Sequence, residues 1–256
     1  MRVAIVTGAS SGLGWEYAKQ LAPRREVDEV WLLARRKERL ETLATELVGA
    51  EGRVFPVDLT EPEQLAGFLD HFELESPEIT WLVNNAGFGK YGAFDSVSTE
   101  TNLDMIDLNI RSLTEMTQRA LPFCVPGTRI LQVASSAGFA PLAHFAVYAA
   151  TKAYVVNFSN ALAEELRDRQ IVVTAVCPGP VATEFASVAD VESGEQIPSE
   201  WYARAGDVVR HSIADARKGR LNSVYGATMN VFTTLSGLIP RRMTTWVTKN
   251  VYDPKQ

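Results

Sequence analysis

Ser136, Tyr148 and Lys152 lie in one stretch, SSAGFAPLAHFAVYAATKAY, residues 135–154. The tyrosine and the lysine are four apart, within VYAATKAYVVNFSNALAEELRDR, a run of strong helical character. Positions four apart share one helix face, so a phenol and an ammonium would project together. A phenol is an acid with an unperturbed pKa of about 10, and a neighbouring ammonium stabilises its anion. Such a pair could give a proton to a developing alkoxide or take one from an alcohol. A serine hydroxyl beside them would donate to the same oxygen as its negative charge grows. Ser135 and Ser136 compete for that position.

A second constellation follows the first apolar run. In TGASSGLG, Thr7 to Gly14, glycines fall at 8, 12 and 14, and a helical pattern begins at once. Glycine permits a tight turn and a close approach of backbone to a pyrophosphate. A helix N-terminus adds free N–H groups and a positive dipole end. Ser10 and Ser11 supply hydroxyl donors. The spacing is GxxxGxG rather than GxGxxG. The second apolar run ends LLARRKER, where an NAD site would carry an acidic residue for the ribose 2′-OH. Ala34 fills that slot, with Arg35 and Arg36 behind it. A guanidinium can pair with a 2′-phosphate in bidentate fashion, so NADP(H) is expected, with NAD(H) left open. The competing reading of the arginines is a solvated helix start, although basic residues there oppose the helix dipole.

These groups need a scaffold, and the chain supplies its pattern. Short apolar runs recur at 3–6, 30–33, 54–57, 81–83, 130–133 and 171–176, rich in β-branched residues, and read as strands buried on both faces. Helical stripes lie between them. Leu13, Tyr17 and Leu21 form one; Leu40, Leu43 and Leu47 form another. A third helix is expected after TEPEQ, with Thr60 as cap and Pro62 in the first turn. Alternating strands and helices imply a doubly wound parallel sheet of Rossmann type, a three-layer α/β/α domain over residues 1–256. The mixed, acidic stretch 184–205 breaks the rhythm and is expected to be a substrate loop or lid.

The 256 residues carry a net charge of −6, without the basic excess of a nucleic-acid binder. Cys124 and Cys177 are read as reduced structural thiols, and His71, His144 and His211 show no metal-ligand spacing, so no metal is expected. His144 is the one histidine that could border a pocket. No signal peptide pattern and no run of eighteen apolar residues is found, and a cytoplasmic protein is expected.

Taken in order, TGASSGLG, Asp58-Leu59, NNAG at 84–87, Asn109, the serine pair, YAATK at 148–152 and PGPVAT at 178–183 resemble the short-chain dehydrogenase/reductase family. The resemblance runs over nearly the whole chain. It implies an NAD(P)-dependent oxidoreductase interconverting a ketone or aldehyde and an alcohol. Asn109, Ser136, Tyr148 and Lys152 match the family's catalytic tetrad, and the serine of the family is normally the second of such a pair. The spacing of twelve from Ser136 to Tyr148 is one short of the commonest. Gly8, Ser10, Ser11, Gly12, Leu13 and Gly14 would hold the dinucleotide, together with Arg35, Arg36, Asp58 and Leu59. Asn85, Ala86 and Gly87 would line the adenine ribose, and Pro178, Gly179, Val181 and Thr183 the nicotinamide carboxamide. Tyr148 and Lys152 would also touch the cofactor, with Lys152 on the nicotinamide ribose. Asn109, within the run DMIDLNIRSL that reads as helical, would bind a water that relays protons between Lys152 and solvent.

The substrate side should be built from 88–95, 137–147 and 184–205, where Phe88, Phe139, Phe145, Phe185, Trp201 and Tyr202 stand out. They suit an apolar carbonyl or alcohol, or they belong to the core. The family resemblance implies a homodimer or homotetramer formed through helices near 109–123 and 148–169, with Val155, Val156 and Phe158 either as apolar surface for it or as part of the intrachain core. A rival from another class is a catalytically silent dinucleotide-binding regulator, which should lack a tetrad residue. A further reading attaches the 237–252 tail to a membrane surface through Arg241, Arg242, Trp246 and Lys249.

Overall fold

The structure is a computed structural model that describes residues 1–189, 202–237, 242, 243 and 245. The expected alternation is present. In chain order the elements are β1 (Arg2–Thr7), α1 (Gly12–Leu21), β2 (Glu29–Ala34), α2 (Lys37–Glu46), β3 (Glu51–Pro56), α3 (Pro62–Glu75) and β4 (Glu78–Asn84). Then come α4 (Thr99–Ile106), α5 (Leu113–Ala120), β5 (Cys124–Val133), α6 (Ala146–Glu165), β6 (Val172–Val176), β7 (Val181–Ala182), α7 (Phe185–Val188), β8 (Ala203–Arg204), α8 (Ala205–Arg217), β9 (Asn222–Ser223) and α9 (Ala227–Leu235).

Among the described residues, seven strands form one parallel sheet in the order β3-β2-β1-β4-β5-β6-β9. The order grows one way from β1 through β2 and the other way through β4. Ligands of such sheets sit at the carboxyl ends of the strands beside that reversal.

Both faces of the sheet are packed, which is why its strands read as continuous apolar runs. In β1, Val3 and Ile5 enter one core, while Ala4 and Val6 enter the other. Trp31 and Leu33 follow the first pair, Val30 and Leu32 the second. Each fully buried aliphatic side chain of this kind contributes about 1.5–3 kcal/mol. Trp31 anchors an aromatic group with Phe55, Phe68 and Phe72, ring centroids 5.2–6.1 Å away. The helix stripes hold at Tyr17, Leu21, Leu40 and Leu43, all fully buried, whereas Leu47 lies just past the end of α2.

Several expectations need correction. Thr60 does not cap α3. The cap position is Glu61, and the Asp58 carboxylate instead accepts from the Thr60 N–H at 3.0 Å and its hydroxyl at 2.7 Å. Pro62 does open the helix. The run holding Asn109 is not a plain α-helix, because Asp107–Ser112 forms a π-helical turn between α4 and α5. Val155 and Val156 are core residues, 0% and 7% exposed. Exposed apolar side chains lie at Tyr154 of α6, stacked on Phe158, and at Leu103 and Ile106 of α4, upstream of the expected 109–123 helix. Of the tail residues proposed as anchors, Arg241, Trp246 and Lys249 lie outside the described residues. Among the described residues no helix is long and apolar enough to cross a membrane.

Candidate active site

The carboxyl ends of β1 and β4 are tied together before any ligand is considered. The Thr7 hydroxyl accepts from the N–H groups of Asn85 and Ala86 at 2.9 and 3.0 Å. The Asn85 amide donates to the Thr7 and Gly8 carbonyls at 2.9 and 3.2 Å. Asn85 therefore braces the glycine loop, a task the motif alone did not reveal. Gly8 and Gly12 take positive φ of 65° and 55°, so the chain doubles back into the first turn of α1. A Cβ on Gly14 would lie 2.2 Å from the Gly8 carbonyl oxygen. The loop and the helix start thus meet through bare backbone, with the Asn85 amide against both Gly8 and Gly14, which leaves a glycine-lined cradle at a helix N-terminus. That is the surface a pyrophosphate needs.

Asn109, Tyr148 and Lys152 converge on residues 87–89. All three are buried, at 1%, 8% and 4% exposure. The Asn109 Nδ2 donates to the Phe88 carbonyl at 2.9 Å and to the Thr151 hydroxyl at 3.0 Å, while its Oδ1 accepts from the Phe88 N–H at 3.1 Å. Its side chain is thereby committed to clamping residue 88 against α6. Thr151, absent from the sequence reading, is the α6 end of that clamp. A Cβ on Gly87 would come within 2.7 Å of the Asn109 Oδ1 and 3.3 Å of the Lys152 Nζ, so only glycine leaves this junction open.

Lys152 and Tyr148 share a face of α6 as their spacing requires. The Lys152 Nζ lies 5.8 Å from the Tyr148 ring centroid and donates to the Val133 carbonyl at 2.8 Å. Burial pushes the Lys152 ammonium down to about 8, which leaves it mostly charged at neutral pH. Beside it, burial pushes the Cys177 thiol up to about 12, so this cysteine is a protonated core group. Cys124, raised to about 11 for the same reason, is likewise a buried thiol.

The serine pair divides its work. The Ser135 Oγ accepts from the Ala137 N–H at 3.1 Å, capping the 3-10 turn Ser136–Phe139. Ser136 is fixed through its backbone N–H, which donates to the Pro178 carbonyl at 2.9 Å. That bond joins the serine loop to the 178–183 segment. Next along it, Val181 and Ala182 pair with β8, and Thr183 accepts from the Phe185 N–H at 3.3 Å. Gly179 packs on Met229 of α9.

On the dinucleotide side, Ser10 is buried and its Oγ accepts from Arg36 at 3.1 and 3.2 Å. Arg35 pairs with Asp58 at 3.6 Å, and Asp58 is held below the usual carboxylate range by Thr60 and Arg35 against the opposing effect of burial. Leu59 turns its side chain into the core, and its carbonyl accepts from Ser112, so only its backbone is available to a ligand. Leu13 packs partly against the other core. Ser11 caps α1 through its backbone alone.

Three of the six prominent aromatics gather about Tyr148. Phe88, Phe145 and Phe185 share its apolar cluster, with Phe145 and Phe185 rings 5.4 and 5.5 Å from its ring. Phe139 packs into a different cluster with Val155 and Cys177. Tyr202 is half-buried, and Trp201 lies outside the described residues. His144 lines a cavity of about 60 Å³ with Met105 and Val147, and its ring sits 5.6 Å from Tyr91.

Comparison with known proteins fits this geometry. A family model described as short chain dehydrogenase matches residues 2–193. The chain is 36% identical over 211 residues to the very-long-chain 3-oxoacyl-CoA reductase of Anas platyrhynchos, covering 79% of this chain and 66% of that one. A short-chain dehydrogenase from Sphingobium yanoikuyae in complex with NADPH superposes with a TM-score of 0.81 at 29% identity, over 93% of both chains. The 3-ketoacyl-(acyl-carrier-protein) reductase of Brucella melitensis complexed with NADH gives 0.75 at 27% identity, over 88% of this chain and 97% of that one.

Proposed function

Because this chain belongs to the short-chain dehydrogenase/reductase family, we propose that it is an NADP(H)-dependent oxidoreductase interconverting a ketone or aldehyde and an alcohol, with Tyr148 exchanging the proton. The observation that carries the reading is the convergence of Asn109, Tyr148 and Lys152 on residues 87–89, at the carboxyl end of β4.

The cradle from Gly8 to Gly14 fits a dinucleotide, since its glycines add no side chain of their own where the loop meets the helix start. Ser10, Ser11, Arg35 and Arg36 would meet its phosphates, Asp58 and residues 85–87 its adenosine half, and Pro178, Gly179, Val181 and Thr183 its other end. When bound, the nicotinamide supplies or accepts the hydride.

The chain's own residues do the rest. Tyr148 protonates the forming alkoxide, or deprotonates the alcohol in the reverse direction. The Lys152 ammonium, held by the Val133 carbonyl, favours the phenolate while the proton is in transit. The Ser136 hydroxyl donates to the substrate oxygen and holds it beside Tyr148. Asn109 fixes the backbone at Phe88 and so the floor under both groups. Phe88, Phe145 and Phe185 exclude water and favour an apolar substrate. The oxoacyl and ketoacyl reductases among the relatives favour a ketone on an apolar chain. Leu103, Ile106 and Tyr154 supply exposed apolar surface for a homodimer or homotetramer.

The test is Tyr148→Phe, assayed against a panel of apolar ketones. Turnover should fall about 10²–10⁴-fold, with the cofactor-induced rise in melting temperature retained. Unchanged turnover in this variant ends the proposed mechanism.

A further inference from the structure

Arg36 does not wait for a ligand with its donors free. Its Nη1 donates to the Glu184 Oε2 at 2.9 Å, and its Nε and Nη2 reach the Ser10 Oγ at 3.2 and 3.1 Å. The other oxygen of Glu184 lies 3.3 Å from the Arg39 Nη1. One carboxylate thus bridges two arginines three positions apart at the α2 start. The Arg36 bond holds the Glu184 carboxyl below the usual range, so it is an anion at neutral pH.

Its neighbours matter as much. A Cβ on Gly12 would lie 3.1 Å from the Thr183 Cγ2, so Thr183 rests on the glycine loop. Phe185 packs on the Tyr148 ring at 5.5 Å. Three consecutive residues therefore touch the cradle, the arginine fork and the proton-exchanging phenol.

We propose that Glu184 is a specificity-determining residue, an internal anion that fills the Arg36–Arg39 fork and must yield it to the 2′-phosphate of NADP(H). The inference rests on the NADP(H) reading above. A phosphate dianion pairs with a guanidinium through the same planar edge that Glu184 occupies. Both cannot hold the Arg36 Nη1 edge, and the more highly charged group displaces the other. NADH carries no 2′-phosphate and leaves the pair intact. Binding of NADP(H) then frees residues 183–185 from the arginines, and NADH binding does not. The pair is about half exposed, at 45% and 43%, so solvent screening limits its strength. The penalty on NADP(H) affinity should be between about two- and five-fold.

The experiment titrates the purified full chain with NADPH and with NADH, following nicotinamide fluorescence, in the wild type, Glu184→Gln, Arg36→Ala and the double variant. Glu184→Gln should tighten NADPH binding two- to five-fold more than NADH binding. The NADH change measures the general gain from removing one negative charge. In the Arg36→Ala background the extra NADPH gain should shrink to what the remaining Arg39 contact supplies, as a cycle through coupled residues requires. Equal gains for both cofactors, or weaker NADPH binding in Glu184→Gln, would overturn the inference. Weaker binding of both would mark Glu184 as a clasp across the cleft instead. A wild type that binds NADH as tightly as NADPH would instead refute the NADP(H) reading. Circular dichroism of each variant checks that its fold is intact.

Discussion

Lys152→Met should make the protein more stable at neutral pH while removing its activity. The folded ammonium sits at 4% exposure with its pKa lowered from 10.5 to about 8, chiefly by burial. The sign follows from proton counting. Between those two values the unfolded chain holds a proton that the folded chain has lost, so stability rises with pH across that window. Below about 8 both states are protonated, and the folded state carries the full penalty of a buried cation. At 1.36 kcal/mol per unit, the drop from 10.5 to about 8 makes that penalty about 3 kcal/mol. Methionine removes it but strips the Val133 carbonyl of its donor, a loss of about 1–3 kcal/mol. The net at pH 7 is a gain of about 0–2 kcal/mol. Urea unfolding at pH 7 and pH 9.5 isolates the term. With pKa values of 10.5 and about 8, the wild type should gain about 2 kcal/mol on Lys152→Met over that interval. A difference between the two proteins that stays flat with pH would refute the buried ammonium, and with it the electrostatic support for Tyr148.

The serine assignment separates by readout. Ser136→Ala should lower kcat about 10²–10³-fold, whereas Ser135→Ala removes a turn cap and should register mainly as about 1 kcal/mol of lost stability in denaturant titration. A larger kcat loss in Ser135→Ala would exchange their roles. Gly14→Ala forces a Cβ to within 2.2 Å of the Gly8 carbonyl oxygen and should destabilise by about 1–3 kcal/mol, seen as a lower urea midpoint, with weakened binding of both cofactors. A wild-type midpoint in that variant would mean the cradle is looser than described.

Five strands of the main sheet were legible because a parallel strand buried on both faces is apolar where it is buried, while the edge strand β3, with Phe55 its one buried residue, was legible only over 54–56. The seventh, β9, was not, since Asn222 and Ser223 carry no such pattern. It is held by tertiary bonds, from the Ala175 and Cys177 N–H groups to the Leu221 and Ser223 carbonyls and from the Ser223 hydroxyl to Asp215. Tyr148 and Lys152 could be paired from their spacing because a helix fixes which residues share a face. Asn109 could be named but not placed, because one extra residue in a turn leaves no trace in a ten-residue hydrophobic pattern. Thr60 looked like a cap until a nearer carboxylate took its donors. Glu184 was the least legible of all, as its partner Arg36 is 148 positions away and nothing local marks the pair.

The wide turn at Asp107–Ser112 makes chain length itself a functional variable. Deleting one residue there would let the segment relax into regular α-helix. The flanking helices α4 and α5 would keep their register, because the deletion removes only the one residue that the π-turn accommodates. Met105 would stay in the cluster around Tyr148, while the widened turn that carries the Asn109 amide to Phe88 and Thr151 would be lost. Related sequences that keep an asparagine clamping residue 88 should therefore also keep the extra residue between Ser98 and Leu113, while varying freely in residue type at the exposed Glu100 and Asp104.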